Sequence, residues 1–300
     1  MSPHARATLL AAAFTLAVPA RVAAENSHAV RCGTGIHTGE EHGLVWLPQG
    51  DVFCQLVADP KAIRSFATYL RGTFPPTDGG TDIASVGIAD GFGFFRLGGE
   101  RAGDGLQLGV EAAVFAQFDL GTSSDELLNA DYLIGFPLTF REGGFSGRAR
   151  VYHQSSHLGD ELLLRTGTTI DRLNLSFESA ELMLSQELGV LRLYAGGEYV
   201  FNRHPSTLDP KIAHVGAELR GGAARGVRLV AAGDVKSTEQ QDWKPAWSVR
   251  AGFEVAWSRS PEHPLRVWSI LAEYYEGPSP YGQFFLESTR YVGAGFHFQL

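Results

Sequence analysis

From Leu106 the chain runs LQLGVEAAVFAQFDL, and the even positions Leu106, Leu108, Val110, Ala112, Val114, Ala116, Phe118 and Leu120 are all apolar. The odd positions include Gln107, Gly109, Glu111, Gln117 and Asp119. A period of two with one greasy and one wet face predicts a strand. WSVRAGFEVAW repeats it: Trp247, Val249, Ala251, Phe253, Val255 and Trp257 alternate with Ser248, Arg250, Gly252 and Glu254. Followed along the chain, the period predicts strands over residues 63–71, 83–96, 105–120, 129–141, 144–155, 171–187, 190–202, 211–221, 226–236, 245–257, 265–275 and 287–300. In the sixth segment the alternation slips around Ser179 to Glu181, where a bulge or a turn fits.

Alternation alone suits a soluble sandwich as well as a membrane barrel. Length and aromatic ends favour the barrel. Trp247 and Trp257 stand about 33 Å apart along a strand, which at a tilt near 40° covers about 25 Å, the height of a barrel's apolar band. The wet faces carry Glu111, Asp131, Arg148, Arg150, Arg192, Glu198, Arg220, Arg228, Asp234, Arg250, Glu254 and Glu273. Such mixed charge suits a polar interior whose members pair and fill it, which argues against an open porin. About 12 strands, an even number, puts both termini on one side of the membrane. The fold class read here is therefore all-β, a transmembrane antiparallel β-barrel.

The ends of the chain agree. An apolar run from Ala7 to Ala20 follows Arg6 and leads to Val22, Ala23 and Ala24, which reads as a signal peptide over residues 1–24. Residues 25–60 show no sustained period and read as a periplasmic N-terminal segment or a partial plug, ahead of a barrel over 61–300. The C-terminal YVGAGFHFQL resembles the signal that the outer-membrane assembly machinery recognises, with Leu300 in place of the usual phenylalanine. A net charge of -8 carries no basic nucleic-acid surface. Cys32 and Cys54 lie where an oxidising periplasm would let them close a loop; the alternative is two free thiols. His37, Glu40, Glu41 and His42 are metal donors by type, but short runs of this kind recur without function. The expected partners are membrane lipids, the assembly machinery and, as one option, a second copy of the chain.

The candidate chemistry lies in RVYHQSSHLGDELLL, residues 150–164. Alternation gives Arg148, Arg150, Tyr152 and Gln154 to the wet face, so His153 and Ser155 point to lipid at the strand's outer end. On the next strand Asp171, Leu173, Leu175 and Phe177 alternate with Arg172, Asn174, Ser176 and Glu178, which puts Asp171 on the lipid face beside them. Serine, histidine and aspartate on one patch suit ester hydrolysis: Ser155 as nucleophile, His153 as general base and Asp171 holding the imidazole. The N–H groups of Ser156 and His157, at the start of the loop, are the expected oxyanion donors, with calcium at Asp160 or Glu161 as an optional cofactor. The bland reading is a polar rim, since charge costs only about 0–1 kcal/mol near the interface.

YHQSSH resembles the His-x-Ser region of outer-membrane phospholipase A, a twelve-stranded barrel with its serine and histidine on the outer surface, and DRLNL resembles the strand that supplies its third member. That member is an asparagine there, and Asp171 here; in the eight-stranded lipid A deacylase, which shares the His-x-Ser pair, it is acidic. Ser156 and His157 replace the Asn-Gly that follows the phospholipase serine. GEEHGLVWLPQGDVFC, FAQFDL, NADYLIGFPL, YHQSSHLGDE and SPYGQFF resemble the bacterial family known as domain of unknown function 1207. Together these imply an outer-membrane serine hydrolase acting on acyl esters of outer-leaflet phospholipid or lipopolysaccharide. The alternative is a non-catalytic structural or binding barrel.

Overall fold

The computed structural model describes residues 43–76, 80–100, 103–164, 173–221, 227–257 and 266–298. Its strands are β1 (Gly43–Trp46), β2 (Ser65–Thr73), β3 (Gly80–Gly98), β4 (Gly105–Asp119), β5 (Glu126–Glu142), β6 (Phe145–Leu158), β7 (Leu175–Leu188), β8 (Leu191–His204), β9 (Lys211–Arg220), β10 (Val227–Thr238), β11 (Pro245–Trp257), β12 (Arg266–Pro278) and β13 (Ser288–Phe298), with a short helix α1 (Asp160–Leu164) after β6. From β2 onward each strand pairs antiparallel with the next, and β13 pairs back onto β2, closing twelve strands into a ring. Closure leaves no unpaired edge, which is what a sheet in lipid requires. The alternation predicted all twelve within a few residues. At one end the turns are tight, with Gly143 at φ 59° and Gly189 at φ 65°, the backbone that short hairpin loops demand. Longer connections such as 205–210, 239–244 and 279–287 gather at the other end.

The faces also fall as the alternation predicts. The charged positions predicted for the wet faces line the interior and most pair there: Arg148 Nε with Glu181 Oε1 at 2.8 Å, Arg150 with Glu181 Oε2 and Glu111 Oε1 at 2.6 Å each, and Arg250 with Glu273 at 2.9 Å. A second ladder runs Arg192–Glu218, Arg220–Glu254 and Arg228–Glu254, at 3.2, 3.2 and 2.7 Å. Desolvated charges persist when each finds a partner. Outward the wall is apolar, with Ile88, Phe136, Val151, Leu182, Leu229, Phe253 and Val292 exposed and Trp247 at one end of its strand. A closed barrel with a greasy outer wall and a paired polar lumen is an outer-membrane barrel. The side chain of Trp257, the other end of the predicted aromatic pair, lies outside the described residues, as do the signal-peptide region, the His37–His42 run and Leu300.

β1 lies on β3 from Gly43 opposite Gly98 to Trp46 opposite Phe95, below the stretch of β3 that β2 occupies. Between β1 and β2 the chain turns into the lumen. Val52, Phe53, Cys54, Leu56, Val57 and Ala58 are buried there. Non-strand backbone inside a barrel must find hydrogen bonds from the wall, and wall arginines supply them. Arg141 Nε donates to Val52 O (2.7 Å), Arg192 Nη2 to Cys54 O (2.9 Å) and Arg250 Nη1 to Val57 O (3.0 Å), while Val57 N donates to Glu218 Oε1 (2.8 Å). Phe53 sits between the Arg148 and Arg192 guanidiniums, 5.0 and 5.1 Å from its ring. Cys54 is disulfide-bonded, and the chain's other cysteine, Cys32, lies outside the described residues.

One face assignment is reversed. Leu175 and Phe177 at the top of β7 are buried in the lumen, while Ser176 and Glu178 are half-buried on the outer wall. β7 runs unbroken, and the irregularity near Ser179 is a shift against β8: Glu178 pairs Asn202 and Ser179 pairs Val200, leaving Phe201 as the extra residue. The inward apolar pair has a physical reason. Leu175 and Phe177 pack with Leu133, Tyr152, Val200 and Leu208, and with the partly buried Phe285, under the folded-in outer loops, so the upper lumen is apolar where the lower lumen is charged.

Candidate functional site

The upper half of β6 separates two surfaces. Tyr152 points inward and its hydroxyl donates to Glu198 Oε2. His153 points outward, opposite Ile134 of β5 and Glu178 of β7. Its Nδ1 lies 2.9 Å from Glu178 Oε1, with the two side chains 41% and 32% exposed. Ser155 follows on the same outer face, half-buried, opposite Tyr132 and Ser176. His153 and Ser155 are about 7 Å apart at the backbone, a distance within the combined reach of an imidazole and a hydroxyl. Asp171, the acid expected beside them, lies outside the described residues. The acid that meets the imidazole is Glu178, which sequence reasoning had assigned to the wet face.

β6 continues to Leu158, because β5 offers partners as far as Asn129. Ser156 and His157 are therefore strand residues, opposite Asp131 and Ala130, and the loop begins at Gly159 rather than at these expected oxyanion donors. His157 faces out and packs edge-on against Tyr132, with ring centroids 5.6 Å apart. Asp160 and Glu161 open α1, both exposed. Among the described residues no three His, Cys, Asp or Glu side chains gather as a metal set. Calcium takes six to eight oxygen ligands, carboxylates prominent among them, and Asp160 and Glu161 are the only two carboxylates of α1.

Behind Ser155 the lumen side is tied down. Ser156 Oγ contacts Asp131 Oδ1 and lies 3.0 Å from Asn129 Oδ1. The loop before β13 reaches into the barrel to the same group: Gly282 N donates to Asp131 Oδ2 (3.1 Å), Gln283 N to Asn129 Oδ1 (3.0 Å), and Gln283 Nε2 to Ser156 O (2.7 Å) and Leu173 O (2.8 Å). A Cβ on Gly282 would fall 2.6 Å from Ser156 Oγ, so only glycine permits this approach. Lys61, from the lumenal segment, pairs with Asp131 beneath the Tyr281 ring, 4.4 Å from its centroid. Burial pulls the Lys61 ammonium down from its ordinary value, opposed by Asp131 and Asp59.

The comparisons with known proteins follow the same lines. A family model described as "Protein of unknown function (DUF1207)" matches residues 19–300. Among solved structures, the chain is similar to an active-site mutant of outer membrane phospholipase A from Escherichia coli, at 14% identity and a TM-score of 0.55, covering 90% of this chain and 99% of that one. It is also similar to an outer membrane phospholipase dimer with bound calcium from Salmonella typhi, at 13% identity and a TM-score of 0.50, covering 80% and 93%. At these identities the likeness speaks to the fold. No curated protein matches in sequence.

Proposed function

The chain belongs to the DUF1207 family, and we propose that it is an outer-membrane serine hydrolase that cleaves acyl esters of outer-leaflet phospholipid or lipopolysaccharide. The observation that carries this reading is the His153 Nδ1–Glu178 Oε1 contact at 2.9 Å on the outer wall, with Ser155 on the same face. In this reading Glu178 takes the role of orienting acid first assigned to Asp171. His153 donates from Nδ1 to Glu178, which leaves Nε2 as the base. Ser155 Oγ attacks the ester carbonyl carbon as its proton passes to Nε2. The tetrahedral adduct collapses, the C–O bond to the alcohol breaks, and the alcohol leaves with that proton. Water, deprotonated by the same nitrogen, then frees the acyl chain as a carboxylic acid and restores Ser155. An active site on the outer wall suits a substrate whose ester lies at the lipid interface. Delivery by the assembly machinery through YVGAGFHFQL and pairing with a second copy belong to the same proposal.

The test is fatty-acid release from phospholipid and lipid A by the purified chain in detergent, with and without calcium. Turnover and sulfonyl-fluoride labelling at Ser155 are expected, both lost in Ser155→Ala, with turnover lost in His153→Ala. Turnover unchanged in both variants would sink the proposal. A non-catalytic barrel is the second reading, favoured by an ion-paired and plugged lumen that holds itself together without any chemistry. It predicts neither turnover nor labelling.

A further inference from the structure

A cavity of about 170 Å³ lies in the lumen beneath the outer loops. Its floor is the lumenal segment at Asp59, Pro60 and Lys61, and its rim includes Asp209, Gln240 and Lys244 from the loops. One wall is apolar, with Leu175, Phe177, Val200, Leu208, Ile212 and Phe285. Polar groups interleave with this wall and run on from its edge: Gln154 is paired with Phe177, Glu198 and Thr238 with Ile212, and Asp234, Lys236 and Ser248 follow on β10 and β11.

The charges of this lining balance, Asp59, Glu198, Asp209 and Asp234 against Lys61, Arg150, Lys236 and Lys244, and most are already hydrogen-bonded. Lys236 Nζ lies 3.5 Å from Asp59 Oδ1, Asp234 holds Tyr194 and His214 at 2.6 Å each, Glu198 accepts from Tyr152, and Arg150 is held between Glu111 and Glu181. An entering anion meets Asp59, Glu198 and Asp234; an entering cation meets Lys61, Arg150 and Lys236. Neither is favoured, because stripping the water from an ion calls for an unmatched partner. Neutral hydrogen-bonding capacity remains. The Gln154 amide and the Ser248 and Thr238 hydroxyls offer both donors and acceptors. An apolar pocket with a few converging polar groups is the usual form of a small-molecule site.

We infer that this vestibule binds a neutral saccharide: a sugar ring presents an apolar C–H face, which fits the Phe177–Val200–Ile212 wall, and uncharged hydroxyls around its edge, which fit the polar groups interleaved with that wall. The site is independent of the outward Ser155 patch, and its ligand reaches it from the side of the long loops.

The test uses the full chain in lauryldimethylamine oxide, a detergent without a sugar headgroup, and saturation-transfer NMR. The probes are neutral di- and trisaccharides of the glucose, galactose and N-acetylglucosamine series, with phosphocholine, phosphoethanolamine and octanoate as probes of the charged chemistries. At least one saccharide series is expected to receive saturation. That signal should fall at least tenfold in Thr238→Trp, which fills the mouth, and in Gln154→Leu, and should persist in Ser155→Ala. The difference in gel mobility between boiled and unboiled samples verifies that each variant is folded. The inference is overturned if no saccharide series is saturated, if phosphocholine, phosphoethanolamine or octanoate is saturated instead, or if the saccharide signal survives in the folded vestibule variants.

Discussion

Ser155 and Ser156 are neighbours in the chain and face different solvents. Ser156, turned into the lumen, is held by Asp131 and Asn129 within a net that also takes in Lys61, Gly282 and Gln283. Ser155, turned outward, sits on a wall whose other members are residues such as Val151, Ile134 and Leu182. The same contrast holds for the acids. Glu181, in the lumen, is clamped by Arg148 and Arg150, whereas Glu178, three residues earlier on the outer wall, meets His153. In the lumen a buried charge needs its partner for the fold to stand, so polar density there has a structural explanation. On the outer wall near the interface a polar group costs only about 0–1 kcal/mol, so polarity alone distinguishes nothing there. What sets the outer patch apart is that His153 and Glu178 meet there, with Ser155 on the same face.

This contrast can be broken by mutation. The largest effects belong to the outer wall. Glu178→Gln should lower acyl-ester turnover by about 10²- to 10⁴-fold, by analogy with loss of the orienting acid in serine hydrolases, and should alter the pH profile that His153 sets. If Asp171→Asn has the larger effect, the orienting acid lies on the loop side and not at Glu178. In the lumen, Glu181→Ala leaves Arg148 and Arg150 without their shared carboxylate and should cost about 3–5 kcal/mol in urea unfolding, with a smaller effect on turnover per folded molecule. Gly282→Ala pushes a methyl against Ser156 Oγ and Asp131 Oδ1 and should cost about 1–3 kcal/mol, read by the same unfolding assay. Smallest is the stability effect of Glu178→Gln. The His153–Glu178 pair is partly exposed, and its loss should move stability by no more than about 1 kcal/mol. A large stability loss there would mean that the outer patch is structural after all.

Much of this was legible beforehand. Glu111, Arg148, Arg150 and Glu254 announced the lumen because a period of two keeps its face over a whole strand. His153 and Ser155 were placed on the outer wall for the same reason. The misassigned top of β7 came from reading Leu175 and Phe177 as lipid-facing because they are apolar. Carrying the period back from Glu181 without a break turns Ser179, Phe177 and Leu175 inward and Glu178 outward, so that signal was present. Apolarity misled because the loops from the far side of the barrel cover that stretch, and loop packing has no period.

The sequence by itself determined the class of fold, the strand positions and the solvent that most side chains meet, since these follow from alternation along a strand and the thickness of a membrane. Only the tertiary structure decided that Glu178 faces His153, that residues 51–64 are threaded through the lumen on the arginines of the wall, and that the loop at Gly282 docks onto Asp131. These are contacts between distant stretches of chain, set by strand register and loop docking, and neither quantity is written in the spacing of any one segment.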